Sequence, residues 1–275
     1  MRTLQNSGKL AIMFFVAIFF LSPKIHSQNL DVPYVPTPEE VVDRMLDLTN
    51  VGPGDYVIDL GSGDGRIVIA AARRGAVGHG IDLNPVRVRE AEENAIKGGV
   101  ADRVVFLEGD LFEADVSRAT VITMYLLSTV NLKLKPVLLE TLRPGTRIVS
   151  HSFSMGDWEA DEHSVVNNRN VYFWIIPAKV EGTWEWTLNG ERFTMNASQE
   201  FQKVEMQVKS GNRNLTVEEP LLKGDRITFT AKDNSNGNHI NFSGRVEDNR
   251  ITGTAQVHAG QTRTVSDWSA IMRRR

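Results

Sequence analysis

A glycine-rich loop is the part of this 275-residue sequence whose residue types and spacing most clearly indicate chemistry. It reads DLGSGDG over Asp59–Gly65, after an apolar run and before a helical pattern. Glycines let a backbone approach a ligand closely, and the following helix start carries partial positive charge. A carboxylate two residues before the first glycine suits an ammonium or sulfonium better than a pyrophosphate. The loop therefore predicts a site for a cationic ligand.

Two further aspartates follow later apolar runs. Asp82 ends the segment GID, and a carboxylate at that strand tip can accept hydrogen bonds from both hydroxyls of a ribose. Taken alone, Asp82 could instead cap the helix that begins at Pro85. Asp110 follows Gly109, where a side-chain acceptor suits the amino group of adenine, with Leu111 or Phe112 against the ring. Three acids at successive strand ends predict one ligand crevice.

The elements that position these residues alternate between strand and helix patterns. We predict a Rossmann-like α/β fold with a doubly wound, mostly parallel sheet, because helices of this length between strands imply crossover connections. At the first helix, Thr37 is expected to be the cap and Pro38 the first helical residue. The predicted strands are 56–60, 77–82, 104–108, 119–125 and 147–153, and the predicted helices start near 38, 66, 85 and 129 and end near 48, 74, 97 and 142.

The pattern changes after Pro177. Short alternating segments separated by turns such as Asn189-Gly190 predict a smaller all-β domain, an antiparallel barrel or sandwich. Trp184 and Trp186 share one strand face, which we expect to be buried in its core. The predicted strands are 182–186, 193–195, 201–208, 214–217, 226–231, 240–246 and 250–257. The predicted domains are 1–27, 28–177 and 178–275.

The first 27 residues form a segment of a different kind. Arg2 and Lys9 precede an apolar run over 10–21, which is short for a membrane-spanning helix and typical of a signal peptide. We therefore expect a signal peptide or membrane anchor, with export to the cell envelope (the periplasm in a bacterium) or tethering to a membrane. Tethering on the cytoplasmic side is left open, because S-adenosylmethionine is made in the cytoplasm.

Composition narrows the chemistry further. The sequence has no cysteine, which excludes disulfides, thiolate catalysis and zinc–cysteine sites, and we predict no metal ligands. The formal net charge of -3 gives no reason to expect a nucleic-acid partner.

The loop at 59–65, with Asp82 and Asp110, resembles the cofactor motifs of class I, seven-strand S-adenosylmethionine-dependent methyltransferases. Pro33–Pro38, Asp59–Ala72 and Ser150–Trp158 together resemble one lysine methyltransferase family, whose mitochondrial members act on the c-ring protein of ATP synthase and the adenine nucleotide translocase. The resemblance covers about residues 31–161. It implies S-adenosyl-L-methionine as cofactor and a methyl acceptor, with protein lysine preferred.

By this resemblance, Asp59, Gly61 and Gly63 would hold the methionine part of the cofactor, Asp82 the ribose and Asp110 the adenine. The segment of Tyr34, Pro36 and Thr37 would form a lid, and Asp64 and Arg66 would fix the loop. The predicted cofactor-binding residues are Asp59, Gly61, Ser62, Gly63, Gly65, Asp82, Leu83, Asp110 and Leu111, and the catalytic candidates are Tyr125 and Tyr34.

Several alternatives stay open at this point. Tyr34, Tyr125, Phe153 and Trp158 could line an acceptor channel, and His151 and His163 could serve as general bases. An NAD-dependent oxidoreductase is one competing function, although the spacing GxGxG differs from GxGxxG. The other is an exported, non-catalytic binding protein that uses its β-domain, which exposed Trp184 and Trp186 would favour.

Overall fold

The computed structural model describes residues 34–273. The predicted signal peptide or anchor at 1–27 lies outside the described residues. Within them, no helix is both long and apolar enough to span a membrane.

The first unit is a seven-stranded sheet with strand order β3-β2-β1-β4-β5-β7-β6. The five strands from β3 to β5 pair in parallel, and β7 and β6 are added antiparallel at one edge. This confirms the predicted Rossmann-like fold. Its elements are α1 (Glu39–Leu48), β1 (Tyr56–Leu60), α2 (Arg66–Arg73), β2 (Val77–Asp82), α3 (Pro85–Lys97), β3 (Val104–Glu108), β4 (Val121–Met124), α4 (Ser128–Thr141), β5 (Arg147–His151), β6 (Glu162–Val166) and β7 (Arg169–Ile175).

Alternate residues of the central strands pack against opposite layers of helix. Val57 and Val121 contribute to the cluster that also holds the apolar faces of α1 and α2, whereas Ile58 and Ile122 pack with α4. Continuous apolar runs are needed here because a parallel sheet is covered on both faces. This packing fixes the carboxyl ends of β1, β2, β3 and β4 beside one another.

The hairpin of β6 and β7 is absent from the predicted strands. Its two strands are joined by Asn167-Asn168, both with positive φ, which is the geometry of a tight two-residue hairpin turn. The alternation in β6 is weak because its side chains are exposed or half-buried, so periodicity gave little signal there.

The second unit is a closed barrel of eight strands. Each strand pairs antiparallel with the next along the chain, and β15 pairs with β8 to close it, so the predicted β-rich region is a barrel rather than a sandwich. Trp184 and Trp186 are buried in its core, as expected. The strands are β8 (Gly182–Leu188), β9 (Glu191–Glu200), β10 (Lys203–Ser210), β11 (Arg213–Lys223), β12 (Arg226–Lys232), β13 (His239–Glu247), β14 (Arg250–Ala259) and β15 (Thr262–Met272).

Strand β15 was not predicted from the sequence. Its inward positions 266, 268 and 270 hold Ser, Trp and Ala, whereas the outward Val265 is exposed. The hydrophobic alternation is therefore weak, and closure of the barrel, rather than local pattern, makes this segment a strand.

One end of the barrel packs against the α/β unit. Phe201, in the turn between β9 and β10, stacks on Trp158 with ring centres 5.9 Å apart. Gln202 accepts a hydrogen bond from Trp158 Nε1 and donates one to the carbonyl of Glu159. Turns alternate between the two ends of such a barrel, so the turns at 189–190, 211–212 and 233–238 lie at the end away from this contact.

Candidate active site

A cleft of about 960 Å³, counting its open mouth, lies at the carboxyl ends of β1 to β4. All three predicted carboxylates, Asp59, Asp82 and Asp110, line it. The sequence therefore predicted the location correctly, since acids at successive parallel strand ends converge at one edge of the sheet. Predicted residues that also line the cleft are Tyr34, Gly61, Ser62, Gly63, Leu83, Leu111 and Tyr125.

The glycine loop brings bare backbone to the cleft. Gly61 and Gly63 have positive φ of 76° and 53°. A Cβ at Gly61 would come within 2.7 Å of Leu126 Cδ2, and one at Gly63 within 2.6 Å of Tyr34 Cε2. Both positions therefore need glycine for conformation and for space.

Gly65 departs from the prediction because it does not line the cleft. It precedes α2 with φ of 79°, and a Cβ there would lie 2.6 Å from Phe106 Cζ and 2.9 Å from Ala91 Cβ. Its small size serves the packing of β3 and α3 behind the loop rather than a ligand contact.

Asp59 is a buried carboxylate that faces other acids. Its side chain accepts a 2.7 Å hydrogen bond from Thr123 Oγ1, and the residue is 2% exposed. Burial raises its pKa to about 7, and the charges of Asp82 and Asp64 add to the shift, while the Thr123 hydrogen bond opposes it. A carboxylate in this position is stabilised by a cation, so the floor of the cleft favours a positively charged ligand.

Asp82 supports the loop and still faces the cleft. Its Oδ2 accepts from the amide of Gly63 and its Oδ1 from the amide of Asn84, each at 2.8 Å. Each oxygen keeps a second lone pair. The cap of α3 is Asn84, whose side chain accepts from the Val86 amide at 2.9 Å, so Asp82 is not the helix cap.

The other polar groups of the cleft also fit an adenosyl ligand. Asp110 Oδ1 accepts from the Phe112 amide at 2.9 Å, which holds the third carboxylate at the end of β3. Ser62 Oγ is buried without a hydrogen-bond partner among the described residues, and Ser62 lines the cleft. A buried hydroxyl without a partner is costly, so this atom favours a polar ligand. With Asp59, it makes the cleft suitable for a ligand that is both polar and cationic.

Residues 34–37 form a strap that closes one side of the cleft. Tyr34 lies over Gly63, and the guanidinium of Arg87 lies 4.4 Å from the centre of the Tyr34 ring. Arg66 donates to the Thr37 carbonyl at 2.8 Å and pairs with Asp64 through two nitrogens. Asp64 and Arg66 therefore anchor the strap as well as fixing the start of α2.

Thr37 does not cap α1 as predicted. The helix starts at Glu39 after Pro38, without a side-chain cap, and Thr37 Oγ1 instead lies 3.2 Å from His151 Nδ1 at the end of β5. A tertiary partner has replaced the local one. This contact joins the strap to the sheet.

His151 lies behind the cleft, outside its lining. Its ring centre is 3.8 Å from that of Tyr125, and burial, with a smaller effect of Arg169, lowers its pKa to about 4. The ring is therefore neutral near pH 7. It packs beneath Tyr125 and does not reach the cleft as a base.

Three other residues considered from the sequence lie away from the lining. His163 is exposed on β6, where it stacks on Tyr172. Trp158 is a buried core residue stacked against Phe201, and Phe153 packs on Tyr125 at 6.2 Å without lining the cleft.

Arg87, Asn84, Leu126 and Val130 line the cleft but were not predicted. Arg87 and Asn84 lie at the start of α3, directly after Asp82. The first turn of a helix that follows an acidic strand end points toward the same crevice, so this proximity was the available signal. Leu126 and Val130 follow β4 in the same way.

The comparisons with known proteins agree with this geometry. Residues 59–162 match the ANTKMT methyltransferase domain. A protein-lysine N-methyltransferase of Saccharolobus islandicus (strain REY15A) is 48% identical over 153 residues, which is 53% of this chain and 94% of that protein. A Xenopus laevis enzyme, named as the lysine N-methyltransferase of the ATP synthase c-ring protein, is 32% identical over 154 residues, 56% of this chain and 67% of that protein.

A solved structure supplies the cofactor class. The crystal structure of an RNA methyltransferase from Salinibacter ruber, in complex with S-adenosyl-L-homocysteine, is 56% identical, with a TM-score of 0.52 over 53% of this chain and 96% of that one. The predicted cofactor, S-adenosyl-L-methionine, is thereby confirmed, and the NAD-dependent alternative is not favoured. Because nearly all of the Saccharolobus islandicus relative is matched, this chain belongs to the family of S-adenosylmethionine-dependent methyltransferases described by the ANTKMT methyltransferase domain.

Proposed function

We propose that this enzyme methylates the side-chain amine of lysine in a protein. The observation that carries the proposal is the charge of the cleft, where four carboxylates face two guanidinium groups. Such a lining attracts a cationic lysine and repels a polyanion. Two relatives whose names specify lysine methylation support the same substrate.

The predicted roles of the cofactor-binding residues form part of this proposal. We assign Asp59 and the Gly61–Gly63 backbone to the methionine part, Asp82 to the ribose hydroxyls, and Asp110 with Leu111 to the adenine. Ser62 Oγ would donate to or accept from the same ligand. S-adenosylmethionine, when bound, supplies a methyl group that is already electrophilic.

The protein must then deliver a neutral amine and exclude water. Tyr34 and Tyr125 line the cleft with aromatic surface, and Leu126 and Val130 add apolar walls. Aromatic faces attract an ammonium, whereas desolvation lowers the pKa of an amine and favours the neutral nucleophile. His151 is neutral behind Tyr125, so it does not repel the incoming cation.

The experiment must separate protein from RNA as acceptor, since one relative is described as an RNA methyltransferase. We would incubate the full chain with tritiated S-adenosylmethionine and a cell extract, then digest separate portions with protease or ribonuclease. The label is expected in protein and, after acid hydrolysis, in methylated lysine. The matched control is the same extract with its amines acetylated beforehand, which should remove the label.

Label that is lost on ribonuclease treatment, or that survives acetylation of the lysines, would contradict the lysine assignment. Binding of S-adenosylhomocysteine, measured in parallel, distinguishes a wrong acceptor from an inactive preparation.

The strap gives a second prediction. Arg66→Ala removes the bond to the Thr37 carbonyl and the pair with Asp64, so the strap should be released from the loop. We expect roughly tenfold weaker S-adenosylhomocysteine binding by calorimetry, equivalent to one charge-assisted hydrogen bond of about 1.5 kcal/mol.

Arg74→Ala is the matched control. Arg74 lies at the other end of α2 and pairs with Asp43 and Asp47 on the surface, away from the cleft. Its loss should leave binding unchanged, as expected for exposed ion pairs. Equal binding by the Arg66 and Arg74 variants would contradict a role for the strap.

A further inference from the structure

The barrel contains a cavity at the end that points away from the α/β unit. It measures about 810 Å³, counting its open mouth. Its apolar walls are Leu188, Phe193, Leu215, Ala231, Ile240 and Val257. We call this cavity the cup. Its rim includes the turns at 189–190 and 233–238, whereas the turns at 201–202 and 224–225 face the sheet.

The two ends of the barrel interior are packed differently. Near the sheet, inward side chains such as Trp184, Ile227 and Ile251 are completely buried. In the cup, the inward aliphatic side chains of Leu215, Ile240 and Val257 are only partly buried. An eight-stranded barrel can fill its interior with side chains or hold one small ligand. Here it does the first at one end and leaves room for the second at the other.

The rim carries an excess of negative charge. Arg213 pairs with both Glu191 and Asp233, and Glu191 also accepts a hydrogen bond from the Ser210 hydroxyl. Ser235 hydrogen-bonds to Asp233 and lowers its pKa, so that carboxyl is ionised at neutral pH. Two carboxylates therefore surround one guanidinium above apolar walls.

From this combination we propose that the cup binds a small amphipathic molecule, with its apolar body between the walls and a cationic head at the rim. Apolar walls with a few convergent polar groups are typical of small-molecule sites. The inference concerns a second site, and it does not depend on the identity of the methyl acceptor.

The test compares three ten-carbon probes at pH 7.5 and below their micelle-forming concentrations: decylammonium, decanol and decanoate. Calorimetry with the full chain should show decylammonium binding at least tenfold more tightly than decanoate, with decanol between them. Glu191→Gln, which removes one negative charge, should reduce this preference.

Val257→Trp should fill the cup and weaken decylammonium binding at least tenfold. The matched control is Val265→Trp, because Val265 is exposed on the outer face of β15 and should tolerate the change. S-adenosylhomocysteine binding and the melting temperature report whether each variant is folded, and Ile240→Phe replaces Val257→Trp if that variant is not.

The proposal is overturned if no probe binds, if decanoate binds as tightly as decylammonium, or if the folded cup variants bind like the original chain.

Discussion

Affinity for S-adenosylmethionine should fall about tenfold for each pH unit below 7 and become constant above it. Burial raises the pKa of Asp59 from its ordinary 3.8 to about 7, so this carboxyl is largely protonated at pH 6 in the free enzyme. The cationic cofactor favours the ionised form, and binding must then release a proton, which costs one factor of ten per pH unit. Calorimetry at pH 5.5, 6.5 and 7.5, in two buffers of different ionisation enthalpy, measures both the affinity and the proton release.

Asp59→Asn separates this explanation from a general acid effect. An amide can still accept the Thr123 hydrogen bond but carries no charge. The variant should bind more weakly at pH 7.5 and lose the pH dependence. If it binds as tightly as the original chain, with the same pH profile, Asp59 does not contact the cation.

The same variant should make the cofactor-free protein more stable at pH 8. The pKa of Asp59 is higher in the folded state, so its contribution to stability is fully present below about pH 4 and is lost as the pH rises through 7. Replacing the acid by a neutral amide removes that loss. Stability and cofactor affinity are therefore expected to change in opposite directions at this residue.

The second large effect is expected at Asp82. Asp82→Ala removes the proposed acceptor of both ribose hydroxyls and the acceptor that holds the Gly63 amide. Hydrogen bonds to a charged group contribute about 1.5–3 kcal/mol each, so two such bonds correspond to roughly 10²- to 10⁴-fold weaker binding. Titration with S-adenosylhomocysteine by calorimetry measures the change without requiring an acceptor.

Asp115→Ala is a closely matched control for that loss. Asp115 accepts a hydrogen bond from the amide two residues later, as Asp82 does, but it lies outside the cleft. It should cost some local stability and no affinity. A folded Asp82→Ala variant that binds within threefold of the original chain would refute the ribose assignment.

Elements whose signals are local could be predicted from the sequence alone. β2, α3 and β3 have the predicted bounds, because apolar runs, a proline at the helix start and turn residues act within a few positions. The three aspartates were assigned to one crevice on the same basis. Each ends a parallel strand, and such ends must meet at one edge of a sheet.

Contacts that join distant segments depend on the folded structure. Thr37 has a good local reason to cap α1, yet its hydroxyl pairs with His151, 114 positions away. Gly65 fits the loop motif, yet its space is taken by Phe106 and Ala91. The edge hairpin and the closing strand β15 have weak patterns of their own, and they become strands because a neighbouring strand offers unpaired backbone groups. Local preference sets the elements, but burial and hydrogen-bond satisfaction over the whole fold choose among the partners that local preference allows.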